Sequence, residues 1–212
     1  MKEKETIEYL DLKSLVPFQN HPFKLRDGEE KEQLLKSIKA QGTIEPLIVR
    51  PLSESEYEVI SGHRRMEICK ELGMKKIPVI VRNLSDEQAV SVMVDANLHR
   101  ENILPSERAF AYKMKWEAIR KQGQRTDLTL SQVATKYRSD ERIANEFGIG
   151  KDTLHRYIRL TYLIPELLEM VDEGRIALTP AVELSYLTNA ALLQHLQRVV
   201  YGADQQENSC GQ

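Results

Sequence analysis

The chain has 212 residues and a mass of 24.4 kDa, which is enough for one large or two small domains. Hydrophobic residues make up 41% of the chain and charged residues 29%, a composition that excludes an intrinsically disordered protein. No apolar run approaches the roughly 20 residues that a membrane-spanning helix needs. The N-terminus has no signal-peptide apolar region, and Cys69 and Cys210 lie too far apart to indicate a disulfide framework or a zinc site. We therefore expect a cytoplasmic protein without a membrane partner.

The net charge of −2 hides a marked asymmetry along the chain. Residues 1–98 carry a net charge of −2, residues 99–160 carry +5 and residues 161–212 carry −5. A basic middle segment between acidic ends indicates a localised site for a polyanion, although a solvated helical surface would have the same pattern. Charge alone leaves both interpretations open.

The first half of the chain alternates between helical and strand patterns. Leu34, Leu35 and Ile38 lie at helical spacing before Gly42, and Ser85 begins a segment with capping-box spacing. The predicted helices are Glu30–Gln41, His63–Leu72 and a helix from Ser85 through Ala96, and the predicted strands are Ile44–Arg50, Tyr57–Ile60 and Ile77–Arg82.

From Pro105 onward the pattern is helical throughout, because periodic apolar residues are separated only by short polar or glycine-containing segments. The first predicted helix ends near Gln122 with Gly123 as its stop, and its apolar side chains Phe110, Met114, Trp116 and Ile119 are expected in the core. Further helices are predicted at Leu130–Tyr137, Asp140–Phe147, Lys151–Leu163, Pro165–Glu173 and Pro180–Leu187, followed by a frayed tail at 191–212.

Residues 140–160 have the pattern of a helix-turn-helix. Ile143 and Ala144 form the inner face of a first helix, Gly148 permits a left-handed turn, and Leu154 and Ile158 anchor the second helix. Ile149 would fill the corner between the helices. In this motif the second helix enters the major groove of DNA, although an ordinary helical hairpin would share these features. The side chains that would face DNA are Lys151, Asp152, Thr153, His155, Arg156 and Arg159.

Among these side chains, Arg156 would read guanine, whereas Lys151 and Arg159 would hold phosphates.

A second candidate site lies where a strand ends at Ile60-Ser61 and a helix begins after Gly62. Arg64 and Arg65 occupy the first turn of this helix, although the positive end of the helix dipole disfavours cations there. A bound phosphate would resolve this conflict, since the guanidinium groups and the free backbone N–H groups could all contact it. Pairing of the arginines with Glu67 or Glu58 on the surface is an equally good interpretation.

A third candidate site is the polar segment Asp95–Asn102 between the two halves. The amide oxygen of Asn97 could ligate a hard cation, and Arg100 could reach a phosphate. A simple loop after an apolar helix would have the same composition.

Taken in order, these segments resemble the ParB family of chromosome and plasmid partitioning proteins over about Leu10 to Leu187. Asn20–Lys24 is similar to the early segment of that family, and Gly42–Arg50 to its first nucleotide-contacting box. Gly62–Arg65 resembles the family's arginine box and Ala96–Arg100 its third box. A proline-initiated helix and the helix-turn-helix follow in the same order.

The resemblance implies an α+β N-terminal domain of the ParB/sulfiredoxin type at 1–104 and an all-α DNA-binding domain at 105–190. It also implies a CTP-dependent DNA clamp with Mg²⁺ as a cofactor, which binds a palindromic, centromere-like site in the nucleoid. Self-association on nucleotide and DNA binding, and partnership with a ParA-type ATPase, belong to the same expectation. The residues implied in CTP binding are Gly42, Thr43, Pro46, Leu47, Gly62, His63, Arg64, Arg65 and Arg100, and Asn97 is implied in holding Mg²⁺.

The sequence departs from the family pattern at two positions. His63 and Ala96 stand where the family usually has glutamate, so we expect nucleotide binding to be easier to detect than CTP hydrolysis. Only 25 residues follow Leu187, so we expect the C-terminal dimerisation domain of the family to be absent. Two alternatives stay open, a nucleotide-dependent small-molecule kinase on the same N-terminal fold and a helix-turn-helix transcription regulator that binds no nucleotide.

Overall fold

A computed structural model describes residues 6–23, 28–42, 45–98, 103–126 and 140–187. The chain divides into two compact units, Met1–Glu101 and Asn102–Gln212. Within the described ranges, no helix combines the length and the apolar character that crossing a membrane requires. The predicted helix Leu130–Tyr137 and the predicted tail at 191–212 lie outside the described residues.

The N-terminal unit is a five-stranded mixed sheet with helices, which confirms the predicted α+β fold. The strands lie in the order β1-β5-β3-β4-β2, with β1/β5 and β3/β4 antiparallel and β3/β5 and β2/β4 parallel. The elements are β1 (Ile7–Asp11), a 3-10 turn (Leu12–Ser14), β2 (Leu15–Pro17), α1 (Glu29–Gln41), β3 (Leu47–Pro51), β4 (Tyr57–Ser61), α2 (His63–Glu71), β5 (Lys76–Val81) and α3 (Asp86–Leu98).

One face of this sheet carries a large buried cluster of the N-terminal unit. Alternate residues of the central strands point to the same side, as the two-residue period of a strand requires. The buried cluster consists of Leu12, Leu15, Ile38, Leu47, Val49, Val59, Met66, Ile68, Cys69, Ile77 and Val79. Cys69 is fully buried, so it behaves as a small core residue.

Sequence patterns located the helices of this unit but missed β1 and β2. The capping box is confirmed, since the Ser85 hydroxyl accepts from the Gln88 N–H and the Gln88 side chain accepts from the Ser85 N–H. Strand β1 is mostly exposed and pairs with β5 about seventy residues later, and β2 has only three residues. Neither strand is long and apolar enough for a periodic signal.

The C-terminal unit is helical throughout its described part. Its helices are α4 (Pro105–Thr126), α5 (described at residues 140–146), α6 (Lys151–Leu160), α7 (Pro165–Asp172) and α8 (Leu178–Leu184). The buried cluster of this unit consists of Ala109, Leu160, Leu163, Ile164, Leu167, Met170, Val171, Ala181 and Val182. Pro105 begins α4 as expected, and the Glu107 carboxylate accepts from the Leu104 N–H at 3.0 Å.

Two expectations about α4 are wrong. Gly123 does not end the helix, which continues to Thr126, because one interior glycine costs only about 1 kcal/mol. Phe110 is 38% exposed and does not share a core face with Trp116. Six residues are about one and two-thirds turns, so the two aromatic side chains point in different directions. The face of α4 that is buried carries Ala109, Tyr112, Lys115 and Ala118 instead.

A largely buried ion pair links three elements of the N-terminal unit. Arg50 on β3 donates from Nε to Glu58 on β4 at 2.6 Å and from Nη1 to Asp86 at the start of α3 at 2.7 Å. The side chains of Arg50 and Glu58 are only 11% and 8% exposed. Burial acts to lower the pKa of Arg50, but the hydrogen bonds to Asp86 and Glu58 prevail and raise the pKa above its ordinary value.

We expect Arg50→Met to lower the free energy of unfolding by about 3–5 kcal/mol, because it leaves the Glu58 carboxylate buried without its cation. The matched control is Asp86→Asn, whose carboxylate is 88% exposed, with an expected effect of at most about 1 kcal/mol. Urea unfolding of the two variants measures both values. Equal effects would contradict the assignment of Glu58 as the partner that matters.

Candidate functional site

The turn between β4 and α2 is sterically dependent on glycine. Gly62 has a φ of 100° and precedes α2 as its N-cap. A Cβ atom at this position would lie 2.8 Å from Cγ of Leu47, which is fully buried on the neighbouring strand β3. The register between β3 and β4 also shifts at Ile48/Val49, next to this contact. Backbone conformation and close approach therefore both require glycine here.

Arg65 connects the start of α2 to the segment that enters β3. Its Nη1 donates to the carbonyl oxygens of Glu45 at 2.6 Å and Pro46 at 3.2 Å, and lies 3.4 Å from the Glu45 carboxylate. Glu58 forms its ion pair with Arg50, so Glu58 is not the partner of Arg65 that the alternative interpretation expected. The Arg65 side chain is 21% exposed, whereas that of Glu45 is 80% exposed.

The first turn of α2 has the charge pattern expected for an anion site. Among the described residues, no side-chain hydrogen bond caps the N-terminus of α2, and the first turn of α2 contains no acidic residue. Arg64 and Arg65 lie in this turn, and Arg64 is half-buried. An uncapped helix N-terminus with two nearby guanidinium groups can bind phosphate oxygens through N–H groups of both kinds.

His63 contacts the segment that precedes α1. It is buried, and its Nε2 accepts a hydrogen bond from the Phe18 N–H at 3.2 Å. Its ring centroid lies 3.9 Å from that of His21. Because Nε2 is the acceptor, it carries no hydrogen and cannot donate to a phosphate. Only the other ring nitrogen or the backbone N–H of His63 could contribute to nucleotide binding.

Of the remaining residues implied in nucleotide binding, Pro46 and Leu47 contact this turn. Gly42 ends α1 with a φ of 73° and donates its N–H to the Ile38 carbonyl at 2.8 Å. Pro46 is half-buried and presents its carbonyl to Arg65, and Leu47 lies beneath Gly62. Thr43 and Arg100 lie outside the described residues.

Asn97 is oriented by its own helix. It is buried near the end of α3, and its Nδ2 donates to the Met93 carbonyl at 2.8 Å, which leaves the amide oxygen as the free ligand atom of the side chain. Asp95 is exposed and accepts from the Ser91 hydroxyl, so the two side chains point to different sides of α3. In the described part of the chain, no cluster of three or more His, Cys, Asp or Glu residues could hold a metal ion. A Mg²⁺ ion here would need nucleotide phosphates among its ligands.

Residues 140–160 form the predicted helix-turn-helix. Ile143, Ala144 and Leu154 are buried at 0–2% exposure, and Ile158 is buried as well. Gly148 has a φ of 64°, and backbone hydrogen bonds from Gly148 to Asn145 and from Ile149 to Ala144 close the end of α5. The apolar faces of α5 and α6 thus point inward, which leaves the polar side chains of α6 outside.

The polar side chains of α6 differ in how tightly they are held. Asp152 is exposed, while Lys151 and Thr153 are half-buried in the first turn. Arg156 donates to the Thr179 hydroxyl at 2.5 Å. Arg159 donates to the hydroxyl and the carbonyl oxygen of Ser185.

The guanidinium of Arg159 also lies 4.6 Å and 4.0 Å from the ring centroids of Tyr162 and Tyr186. Arg159 therefore links α6 to the end of α8. Among the described contacts, Arg156 has a single hydrogen bond, to the Thr179 hydroxyl, which a ligand could replace more easily.

The sequence patterns did not predict the contacts of His155. Its Nε2 lies 3.0 Å from the carboxylate of Asp140, which is only 3% exposed and also accepts from Nε1 of Trp116 at 2.5 Å. Trp116 precedes Asp140 by 24 positions and His155 follows it by 15, and the three residues lie on three helices, so no local spacing signals them. The one sequence feature that could have indicated these contacts is Asp140, an aspartate directly before the apolar face of a helix.

Comparison with known proteins decides the family. Residues 1–98 match the family model described as the ParB N-terminal domain. Residues 1–98 belong to the ParB N-terminal domain family. It is 31% identical over 197 residues to a nucleoid occlusion protein of Lysinibacillus sphaericus (strain C3-41), over 92% of this chain and 60% of that protein. The chain spans 54–62% of the length of the nucleoid occlusion proteins that it matches.

Solved ParB structures share the fold. A pNOB8-like ParB N-domain superposes with a TM-score of 0.58 and 20% identity, over 87% of this chain and 81% of that chain. The C-terminally truncated chromosome-partitioning protein ParB of Caulobacter crescentus, complexed to the centromeric parS site, superposes with a TM-score of 0.50 and 21% identity, over 90% of each chain. These similarities extend the shared ParB architecture beyond the N-terminal domain.

We expect Gly62→Ala to destabilise this protein by the cost of a positive φ, about 1–2 kcal/mol, plus an overpacking cost against Leu47 of about 1–3 kcal/mol. The matched control is Gly73→Ala, because Gly73 has a φ of 66° with nothing within 4 Å of an added Cβ. Urea unfolding then separates the two costs. A Gly62 variant no less stable than the Gly73 variant would contradict the steric argument.

Proposed function

We propose that this protein is a sequence-specific DNA-binding protein of the ParB type, in which α6 reads a duplex and the arginine box of α2 binds CTP. The observation that carries the proposal is the helix-turn-helix of residues 140–160, in which Ile143, Leu154 and Ile158 are buried while the polar side chains of α6 are half-buried or exposed. An amphipathic second helix held by a packed first helix is the geometry that enters a major groove. The net charge of +5 over residues 99–160 supports a polyanionic partner.

In the proposed DNA complex, Arg156 contacts a base edge and Lys151 a phosphate. Arg156 meets only a neutral hydroxyl in the described contacts, and guanine O6 and N7 offer a bidentate acceptor for its guanidinium. Arg159 is held on α8 through Ser185, so its proposed contribution to phosphate binding comes from a fixed positive charge. Asp152, Thr153 and His155 complete the proposed surface.

In the proposed nucleotide complex, the triphosphate lies at the N-terminus of α2. Arg64, Arg65 and the N–H groups around Gly62 and His63 contact its oxygens, and the segment from Gly42 to Leu47 lies near the base. Thr43 and Arg100 are proposed members of this site on the family resemblance. Mg²⁺ would be held by the amide oxygen of Asn97 and the phosphates, and when bound it would neutralise phosphate charge.

The cellular role is proposed from the family. Relatives named nucleoid occlusion proteins and a ParB complexed to a centromeric site support an action on chromosomal, plasmid or mobile-element DNA in partitioning or nucleoid occlusion. We propose a nucleoid-associated protein that binds a palindromic site and self-associates when nucleotide and DNA are bound. Nucleotide-dependent clamp formation and a ParA-type ATPase partner belong to the same proposal.

Calorimetric titration of CTP, ATP, GTP and UTP with Mg²⁺ tests the nucleotide site. We expect saturable binding that favours CTP, weakened about tenfold to a hundredfold in Arg65→Ala by the loss of charge-assisted hydrogen bonds. The matched control is Lys75→Ala, which removes one exposed positive charge from the same unit and leaves binding unchanged. Selective ATP binding would favour the kinase-like alternative. No binding of any of the four, with or without DNA, would favour a transcription regulator without nucleotide.

Selection from a library of randomised 22-base-pair duplexes tests the DNA site. We expect a palindromic sequence to be enriched, and Arg156→Ala to weaken its binding at least about tenfold while relaxing the preference at one guanine. The matched control is Arg175→Ala, which removes an arginine that is 56% exposed and pairs with Glu173 in the same unit. Its affinity stays within about twofold of wild type. An unselective wild-type protein would contradict the proposed function.

A further inference from the structure

A buried carboxylate connects three helices of the C-terminal unit. Asp140 begins the described part of α5, and its side chain is 3% exposed. Its Oδ1 accepts from Nε1 of Trp116 on α4 at 2.5 Å, and its Oδ2 lies 3.0 Å from Nε2 of His155 on α6. Each carboxylate oxygen thus has one directed partner, as a buried polar group requires.

The contact determines which nitrogen of His155 carries a hydrogen. A carboxylate only accepts hydrogen bonds, so the Nε2 of His155 must be the donor. Nδ1 is then the ring nitrogen with which His155 can meet a ligand, as an acceptor when the ring is neutral and as a donor when it is charged. The His155 side chain is 41% exposed, so the ring is accessible while one of its edges is held.

We infer that Asp140 is a positioning residue for DNA recognition, which fixes the ring orientation and the tautomer of His155 so that Nδ1 addresses one base pair of each half-site. This inference rests on the proposed DNA-binding function. His155 is the fifth residue of α6, about one turn from the helix start, which is the part of a recognition helix that contacts base edges. Trp116 on α4 donates to the other carboxylate oxygen of Asp140, so α4 also helps to orient this carboxylate.

Two observations favour positioning over simple packing. The interaction is directional and polar at both carboxylate oxygens, whereas the neighbouring apolar positions Ile143 and Leu154 already bury the helix pair. The partner on α6 is a partly exposed side chain, so anchoring the helix would not require an imidazole at this position. A carboxylate that accepts a hydrogen bond from one ring nitrogen is instead the usual means by which a histidine is oriented for a ligand.

The first test uses the protein without DNA. Long-range ¹H–¹⁵N NMR of the histidine rings, with His155→Gln to assign the signals, reports the tautomer of His155. We expect the Nε2–H form in the wild type and a loss of that preference in Asp140→Asn, because an amide can also donate. An unchanged tautomer in the variant would overturn the inference.

The second test measures affinity for the duplex enriched by the wild-type protein and for its single base-pair variants. We expect His155→Gln to reduce discrimination about fivefold to twentyfold at one base pair of each half-site. Asp140→Asn reduces it at the same base pair, and the double variant loses no more than either single variant. Trp116→Phe, which removes the indole N–H together with one ring, weakens the same discrimination and has no effect on it in the His155→Gln background.

The outcomes separate the inference from the proposed function on which it rests. If the wild type enriches no duplex, the proposed function fails and the inference fails with it. If the wild type is selective but Asp140→Asn weakens all base-pair variants equally, Asp140 only supports the fold and the inference alone is wrong. If Asp140→Asn does not fold, Trp116→Phe decides, since an effect that persists without His155 would overturn the inference.

Discussion

The region proposed to bind nucleotide depends on one steric constraint, the absence of space for a side chain at Gly62. Cγ of Leu47 lies 2.8 Å from where a Cβ would be, so β3 and the start of α2 approach each other as closely as their backbones allow. This approach brings the carbonyl groups of Glu45 and Pro46 within reach of Arg65. The first box and the arginine box of the ParB family, about twenty residues apart in sequence, thereby become neighbours around one helix N-terminus.

The C-terminal unit is oriented by polar contacts that its apolar core cannot supply. Burial of apolar area is non-directional, so a cluster such as Leu160, Leu163 and Leu167 favours compactness without fixing how a helix is rotated. Directed contacts add that information. Asp172 accepts from the N–H and the hydroxyl of Ser106 at the start of α4, and Ser185 holds Arg159 on α6. The outward face of α6 is therefore defined by hydrogen bonds on top of a generic core.

Sequence patterns predicted the parts of this protein that depend on local periodicity and chain reversal. Gly42, Gly148 and the capping box at Ser85 all appear where expected, and the observed bounds of the predicted helices and strands differ by at most four residues. The strand and the contacts that the sequence did not predict share a non-local cause. Strand β1 exists through its pairing with β5, and Asp140 meets Trp116 and His155 only after three helices have packed. Such contacts depend on tertiary geometry, so the residues that form them have no regular spacing in the sequence.

Arg65, Arg156 and Arg159, which are proposed to bind ligands, already have partners within the protein, so ligand binding amounts to an exchange of acceptors. Arg156 donates to a neutral hydroxyl, and Arg65 donates to two carbonyl oxygens and forms an ion pair with an exposed carboxylate. Hydrogen bonds to phosphate are charge-assisted and stronger than those to neutral oxygens, and an exposed carboxylate attracts a cation only weakly in water. The exchange therefore favours a phosphate or a bidentate guanine edge over the internal acceptors. Because the internal acceptors hold the guanidinium groups in place beforehand, less side-chain freedom is lost when a ligand of the right geometry binds.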